Sequence, residues 1–155
     1  MTKTNRTVFL DRDGTLSIDK GYTTKPDEIF IYRGAGLAVA RLKRAGFRTV
    51  IVTNQSAIGR GMCDRSAVDA CNAECLRQLL LEDPDAKIDA VCLCPHAPEE
   101  NCACRKPKAG MIAQLKMDID FGSSWVVGDK SLDLEFGCNA GIPIEHCLLV
   151  QTGEG

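Results

Sequence analysis

At 155 residues, with 45% hydrophobic and 26% charged side chains, the chain has the composition of one globular domain, long enough to bury about 70% of the surface its unfolded form exposes. A formal net charge of −2 argues against a general nucleic-acid binder, which carries a basic excess, and no apolar run approaches the roughly 18 residues of a membrane span. The opening, MTKTNRTVFLDRDG, has no apolar stretch ahead of its first strand-like segment. That is not the pattern of a secretory leader, and a cytoplasmic location is expected.

In chain order, β-rich runs alternate with helical ones. Thr7–Leu10 reads as a strand. GLAVARLKRAG (Gly36–Gly46) has helical spacing at Leu37, Ala40 and Leu42, with Gly46 as its stop. Thr49–Thr53 is the second strand, and Arg65–Leu81 is a helix with Asp64 as N-cap. Val68, Cys71, Cys75 and Leu79 share one stripe of that helix, so its two cysteines read as core. Ala90–Leu93 is a third strand, Met111–Met117 lies in a helical stretch, and Trp125–Val127 is a fourth strand. Leu132–Phe136 is helical again and Cys147–Val150 is the last strand. This alternation predicts an α/β fold, a parallel sheet between helix layers. Residues 1–155 form a single expected domain, without repeat, low-complexity segment or linker, so any lid is small.

In open α/β sheets the ligand site lies beyond the carboxyl ends of the strands. The residues there are Asp11-Arg12-Asp13-Gly14-Thr15, Thr53-Asn54-Gln55-Ser56, a Cys/His/Arg/Lys stretch, and Gly128-Asp129-Lys130. Asp11 and Asp13 can face one side of the chain, and Gly14 permits a sharp turn in which Thr15 can hydrogen-bond. An ordinary Asp-rich turn is the simpler reading of this stretch alone. A calcium loop starting at Asp11 is disfavoured, because its sixth position is Leu16 rather than glycine. Asp129 adds a third strand-end acid, and three converging carboxylates suit Mg²⁺ with a substrate phosphate. Such a metal neutralises phosphate charge, so that one carboxylate can attack phosphorus while its neighbour protonates the leaving alkoxide and then activates water. Thr53, the Asn54 backbone N–H and Lys106 can supply donors to the equatorial oxygens.

Nine cysteines is an odd number, and reducing conditions favour metal ligands or buried thiols over a disulfide framework. Cys94-x-His96-x5-Cys102-x-Cys104 offers three thiolates and an imidazole, a donor set that suits tetrahedral Zn²⁺, although its one-residue spacings differ from those of common zinc fingers. Cys92 competes with Cys94 for one ligand position, since both can face one side of a strand. Cys63, Cys138 and Cys147 have no neighbouring ligand pattern.

Asp11-x-Asp13-Gly14-Thr15, then Thr53-Asn54, Lys106 and Gly128-Asp129 resemble the four motifs of the haloacid-dehalogenase superfamily of phosphohydrolases. TNQSAIGRG, CPH…CACRKP and VGDK look like its small, capless branch, which contains heptose-bisphosphate and histidinol-phosphate phosphatases. The resemblance runs from Val8 to about Gly153. It implies a Rossmann-like fold, Mg²⁺ dependence, Asp11 as nucleophile and Asp13 as general acid/base. It further implies Mg²⁺ held by Asp11, the Asp13 carbonyl and Asp129, and structural zinc on Cys94, His96, Cys102 and Cys104, which leaves Cys92 to the core. Few apolar residues lie between Pro95 and Lys106, so zinc would order this loop and, through Cys104, fix the backbone of Arg105 and Lys106.

A phospho-acceptor signalling domain, a zinc-dependent binding module and a polynucleotide 3′-phosphatase are the rival classes. The acid pair on the first strand, the intact acids and the missing basic surplus disfavour them in turn. The expected partner is a sugar phosphate bound by a monomer, without nucleic acid or membrane. Asp19, Lys20, Gly21, Tyr22, Gln55, Ser56 and Arg105, with Arg60, are expected to reach the substrate beyond its cleaved phosphate; Arg12, Asn54 and Lys130 complete the binding set. Arginines suit a second phosphate, hence a heptose 1,7-bisphosphate. The short gap between His96 and Cys102, with Glu99-Glu100 as a partner for an ammonium group, keeps histidinol phosphate as the alternative.

Overall fold

Thr7–Leu10 (β1) is buried at every position, as the central strand of a parallel sheet requires. In the computed structural model, which describes residues 5–153, β1 lies between Arg48–Asn54 (β2) and Trp125–Gly128 (β4). The sheet continues outward through Ala90–Cys94 (β3) and Cys147–Leu149 (β5), in the order β3-β2-β1-β4-β5. All four pairings are parallel. The first four and last two residues of the expected domain lie outside the described residues.

Period-two alternation sends side chains to both faces. Val8, Leu10 and Ile51 meet Val39 of Ala35–Arg44 (α1) and Cys71, Cys75 and Leu79 of Arg65–Glu82 (α2) on one side. Phe9, Val50, Val52, Cys92 and Val126 meet Met111 and Phe136 of Ser131–Ala140 (α3) on the other. The cysteine stripe of α2 is therefore core. Asp64 caps that helix, its Oδ1 accepting the Ala67 N–H at 2.9 Å.

The strands differ from their expected ranges by no more than one residue at either end, and the Leu132–Phe136 stretch lengthens into α3. The expected Met111–Met117 helix is a correction. It is one 3₁₀ turn, Gly110–Gln114, after which Leu115 is extended. Its side chains serve the sheet: Gln114 accepts from the Leu93 N–H at 3.2 Å and donates to the Leu93 carbonyl at 2.8 Å, pairing the open edge of β3. Gly110 is pressed against the Ala103 carbonyl, which ties this turn to the cysteine loop.

Between β1 and α1 the chain forms no layer of its own, only the bridges Asp13–Ser17 and Ser17–Ile31 and a short 3₁₀ turn, Pro26–Glu28. From β1 the chain moves outward to β2 and β3, then crosses to β4 on the other side of β1. That reversal between β1 and β4 opens a crevice at the carboxyl ends of the strands.

Candidate active site

A cleft of about 420 Å³ occupies this crevice, and its lining includes Asp11, Asp13, Thr53, Asn54 and Lys106. Asp11 follows β1 directly and keeps sheet geometry, its N–H bonded to the Val127 carbonyl at 3.0 Å. Lys106 is 3% exposed, and its Nζ donates to Asp11 Oδ1 at 2.9 Å, the Val52 carbonyl at 2.8 Å and Asp133 Oδ1 at 2.7 Å. Asn54 sets that lysine in place from the backbone: its Oδ1 accepts the Lys106 N–H at 3.0 Å and its Nδ2 donates to the Lys106 carbonyl at 3.2 Å. Thr53 is buried at the end of β2, where its hydroxyl accepts from Gln55 Nε2 at 2.8 Å.

Asp11, Asp129 and Asp133 are all buried, and each offers an oxygen within 4.8 Å of the others. Sequence reasoning missed Asp133. The signal was available, because an acid four residues after Asp129 opens α3, where its Oδ2 accepts the Lys130 N–H at 3.1 Å. Burial pushes the Asp11 carboxyl up to about 7 against the pull of the Lys106 ammonium, and the Asp133 charge and a hydrogen bond with Asp129 push the same way. Three buried acids share this one end of the sheet with Lys106, which pairs with two of them. This hard-oxygen donor set fits Mg²⁺, with Asp133 and Lys106 close enough to orient the ligands.

The walls hold most of the other expected residues. Asp19, Gly21, Tyr22, Gln55, Ser56, Arg60, Arg105 and Lys130 line the cleft, as do Ala57 and Leu132, which the sequence reading did not include. The Lys130 ammonium stands 3.8 Å from Asp19 Oδ2, and the Arg60 guanidinium lies over the Tyr22 ring at 5.6 Å. Arg105 is steered by its bond to the His96 carbonyl at 3.3 Å.

Three expectations change. Lys20 is exposed and outside the lining, its Nζ 4.1 Å above the Phe30 ring, where the cation meets the face of the aromatic ring. Arg12 is fully buried and also outside the lining, since its guanidinium turns back onto Asp13 and Asn72. Among the described residues the Thr15 hydroxyl finds no hydrogen-bond partner; its backbone N–H closes the turn, onto the Arg12 carbonyl at 3.3 Å.

Cys94, His96, Cys102 and Cys104 converge beside the cleft. The sulfurs are 3.1 Å (Cys94–Cys104), 3.5 Å (Cys94–Cys102) and 3.6 Å (Cys102–Cys104) apart, and His96 Nδ1 is 3.2 Å from Cys104 Sγ and 3.5 Å from Cys94 Sγ. A tetrahedron with Zn–S bonds near 2.3 Å has edges of about 3.8 Å, so the cluster is slightly tighter than a closed zinc site and has its donor set. Cys92 is buried in the core and absent from the cluster.

A family model described as HAD-hydrolase-like matches residues 103–155. The D-glycero-β-D-manno-heptose-1,7-bisphosphate 7-phosphatase of Helicobacter pylori is 37% identical over 98% of this chain and 87% of its own length. The enzyme of that name from Haemophilus ducreyi is 41% identical over 96% of this chain and 85% of its own. Among solved structures, the D,D-heptose 1,7-bisphosphate phosphatase of B. bronchiseptica, complexed with magnesium and phosphate, superposes with a TM-score of 0.86 at 37% identity, covering 97% of this chain and 83% of that one. The chain is a haloacid-dehalogenase-like phosphatase and belongs to the family of heptose-1,7-bisphosphate 7-phosphatases.

Proposed function

We propose that this phosphatase removes the 7-phosphate of D-glycero-D-manno-heptose 1,7-bisphosphate through an aspartyl-phosphate at Asp11. The observation that carries the substrate choice is the charge on the cleft wall: Arg105 and Arg60 line it, whereas Glu99 and Glu100 do not. Glu100 is instead spent on the Ala97 N–H at 2.6 Å, and Glu99 is exposed, 4.0 Å from Arg60. An ammonium-bearing substrate such as histidinol phosphate would thus meet two guanidinium groups and not the acidic pair. A second phosphate would meet planar donors able to grip it through two bonds.

In this reading an Asp11 carboxylate oxygen attacks phosphorus, the P–O bond to the sugar breaks, and Asp13 gives its proton to the departing alkoxide. Water then attacks the phosphorus of the acyl phosphate, returns a proton to Asp13, and the Asp11–phosphorus bond breaks to release phosphate. Thr53, Asn54 and Lys106 hold the transferring group. Mg²⁺ on Asp11, the Asp13 carbonyl and Asp129 would supply charge neutralisation at the phosphoryl oxygens. Zinc on the four-ligand cluster would be structural, since four protein donors leave no open position. Nine free cysteines support a reducing, cytoplasmic setting.

The test is kcat/KM on the heptose bisphosphate against histidinol phosphate, with Mg²⁺ present. The bisphosphate is expected to be the better substrate. Arg105→Ala is expected to raise KM for it about 10-fold or more, the loss of a charge-assisted contact, and to change an aryl phosphate far less. A higher kcat/KM on histidinol phosphate would overturn the assignment.

A further inference from the structure

Arg12 has no exposed surface, and an arginine buried this fully is costly unless its donors are met. Each of its three nitrogens donates, to two residues. Nε donates to Asp13 Oδ1 at 3.0 Å and Nη2 to Asp13 Oδ2 at 2.9 Å, a two-bond fork onto the very next side chain. Nη1 donates to Asn72 Oδ1 at 2.7 Å, and Asn72 is itself buried on α2. The fork is therefore pinned from behind by the longest helix of the fold.

Asp13 receives two more donors, Ser17 Oγ on Oδ1 at 3.2 Å and Gln55 Nε2 on Oδ2 at 3.1 Å. A carboxylate has about four acceptor sites, so all are taken. Ser17 is fully buried, whereas Gln55 lines the cleft and already has a second partner in the Thr53 hydroxyl. Gln55 is thus the one donor that can yield to an oxygen arriving from the cleft, and the oxygen it vacates is Asp13 Oδ2.

We propose that Arg12 is a positioning residue for proton transfer: its fork, anchored by Asn72, holds the Asp13 carboxyl with Oδ2 turned to the leaving-group oxygen and then to the attacking water. This rests on Asp13 being the general acid/base. Proton transfer requires hydrogen-bond distance between heavy atoms, and a free carboxyl at a turn loses that geometry to rotation. A lysine keeps the charge but is a point donor without a fork.

The experiment compares Asp13→Asn, Arg12→Lys and Asn72→Ala on two substrates, a sugar (alkyl) phosphate and an aryl phosphate whose phenolate departs without a proton. The measure is kcat/KM, which reports steps through aspartyl-phosphate formation, with thermal unfolding as the check on folding. Asp13→Asn is expected to lower the alkyl-to-aryl ratio by roughly 10²-fold or more. Arg12→Lys is expected to lower that ratio about 10-fold or more, through kcat rather than KM, as a small misplacement of a reacting group does. Equal losses on both substrates, or no loss on either, would overturn the proposal, because a merely structural role does not select leaving groups. If Arg12→Lys does not fold, Asn72→Ala, which keeps the fork and loosens its anchor, is judged by the same ratio and the same two outcomes. A ratio unchanged in Asp13→Asn would instead refute the acid/base reading itself.

Discussion

At the scale of single residues, the site turns on how many acids share one lysine. Lys106 pairs with Asp11 and Asp133 at once, and Asp129 stands within reach of both acids. Removing the nucleophile alone is expected to keep the fold and abolish turnover, so Asp11→Asn should lose essentially all phosphate release, while the wild type traps a phosphoryl or fluoride analogue at Asp11 in mass spectrometry. Label on any other residue would exclude the covalent mechanism. Asp133→Asn keeps the shape of the side chain but halves the negative charge on Lys106. It is expected to cost about 10- to 100-fold in activity or Mg²⁺ affinity, as loss of a partner behind a metal ligand does, and a Mg²⁺ titration of activity with calorimetry separates the two. Asp11 and Asp13 were legible in the sequence because they follow a strand-like run, whereas Lys106, beyond the cysteine loop, stood out only together with the other motifs. Arg12 was misread as a cleft residue because alternation along a loop does not say which way a long side chain folds back.

Among the elements, the cysteine loop is the one with the least core of its own, held by hydrogen bonds to its backbone such as those of the Asn54 side chain with Lys106 and of the Gly110 N–H with the Ala103 carbonyl. Between Pro95 and Lys106 only Ala97 is buried, while Lys106 at its end is almost wholly enclosed. The cluster of Cys94, His96, Cys102 and Cys104 brings the end of β3 beside the residue just before Arg105, so a metal bound there would brace both cations at the cleft. Cys102→Ser or Cys104→Ser is therefore expected to lower Tm and activity together, with zinc lost in metal analysis; Cys92→Ser should leave zinc content unchanged. Zinc-replete protein that contains no zinc would contradict this account. The 3₁₀ turn at Gly110–Gln114 shows the limit of periodicity. Apolar spacing at Met111 and Leu115 is compatible with a helix, but the need to satisfy the edge of β3 through Gln114 and to pack against Ala103 ends it after one turn.

For the molecule as a whole, the site closes only when distant parts of the chain meet. Residues 151–153, just beyond β5, return across the sheet to the first loop: Thr152 Oγ1 donates to the Gly14 carbonyl at 2.6 Å, and Tyr32 Oη donates to the Thr152 carbonyl at 2.5 Å. A Cβ on either Gly14 or Gly153 would collide with the Asp129 carboxylate, and Gly14 also has a φ of +89°, which favours glycine. Gly153→Val is therefore expected to weaken Mg²⁺ binding about 10-fold or more by displacing a metal ligand, measured by calorimetry alongside unfolding, with partial recovery of activity at high Mg²⁺. Unchanged affinity would show that the tail yields instead. The alternation of strands and helices, the strand-end acids, Thr53 and the cysteine pattern follow from the amino-acid order alone, because each depends on local periodicity or short spacing, while Lys106 needs the whole motif set. Packing in three dimensions is what brings Asp133 to the acids, turns Arg12 inward, leaves the cleft wall to arginines rather than Glu99 and Glu100, and sets Gly153 behind Asp129. The contacts that local patterns do not encode include Lys106–Asp133, 27 positions apart, Arg12–Asn72, 60 apart, and Gly14–Gly153, 139 apart.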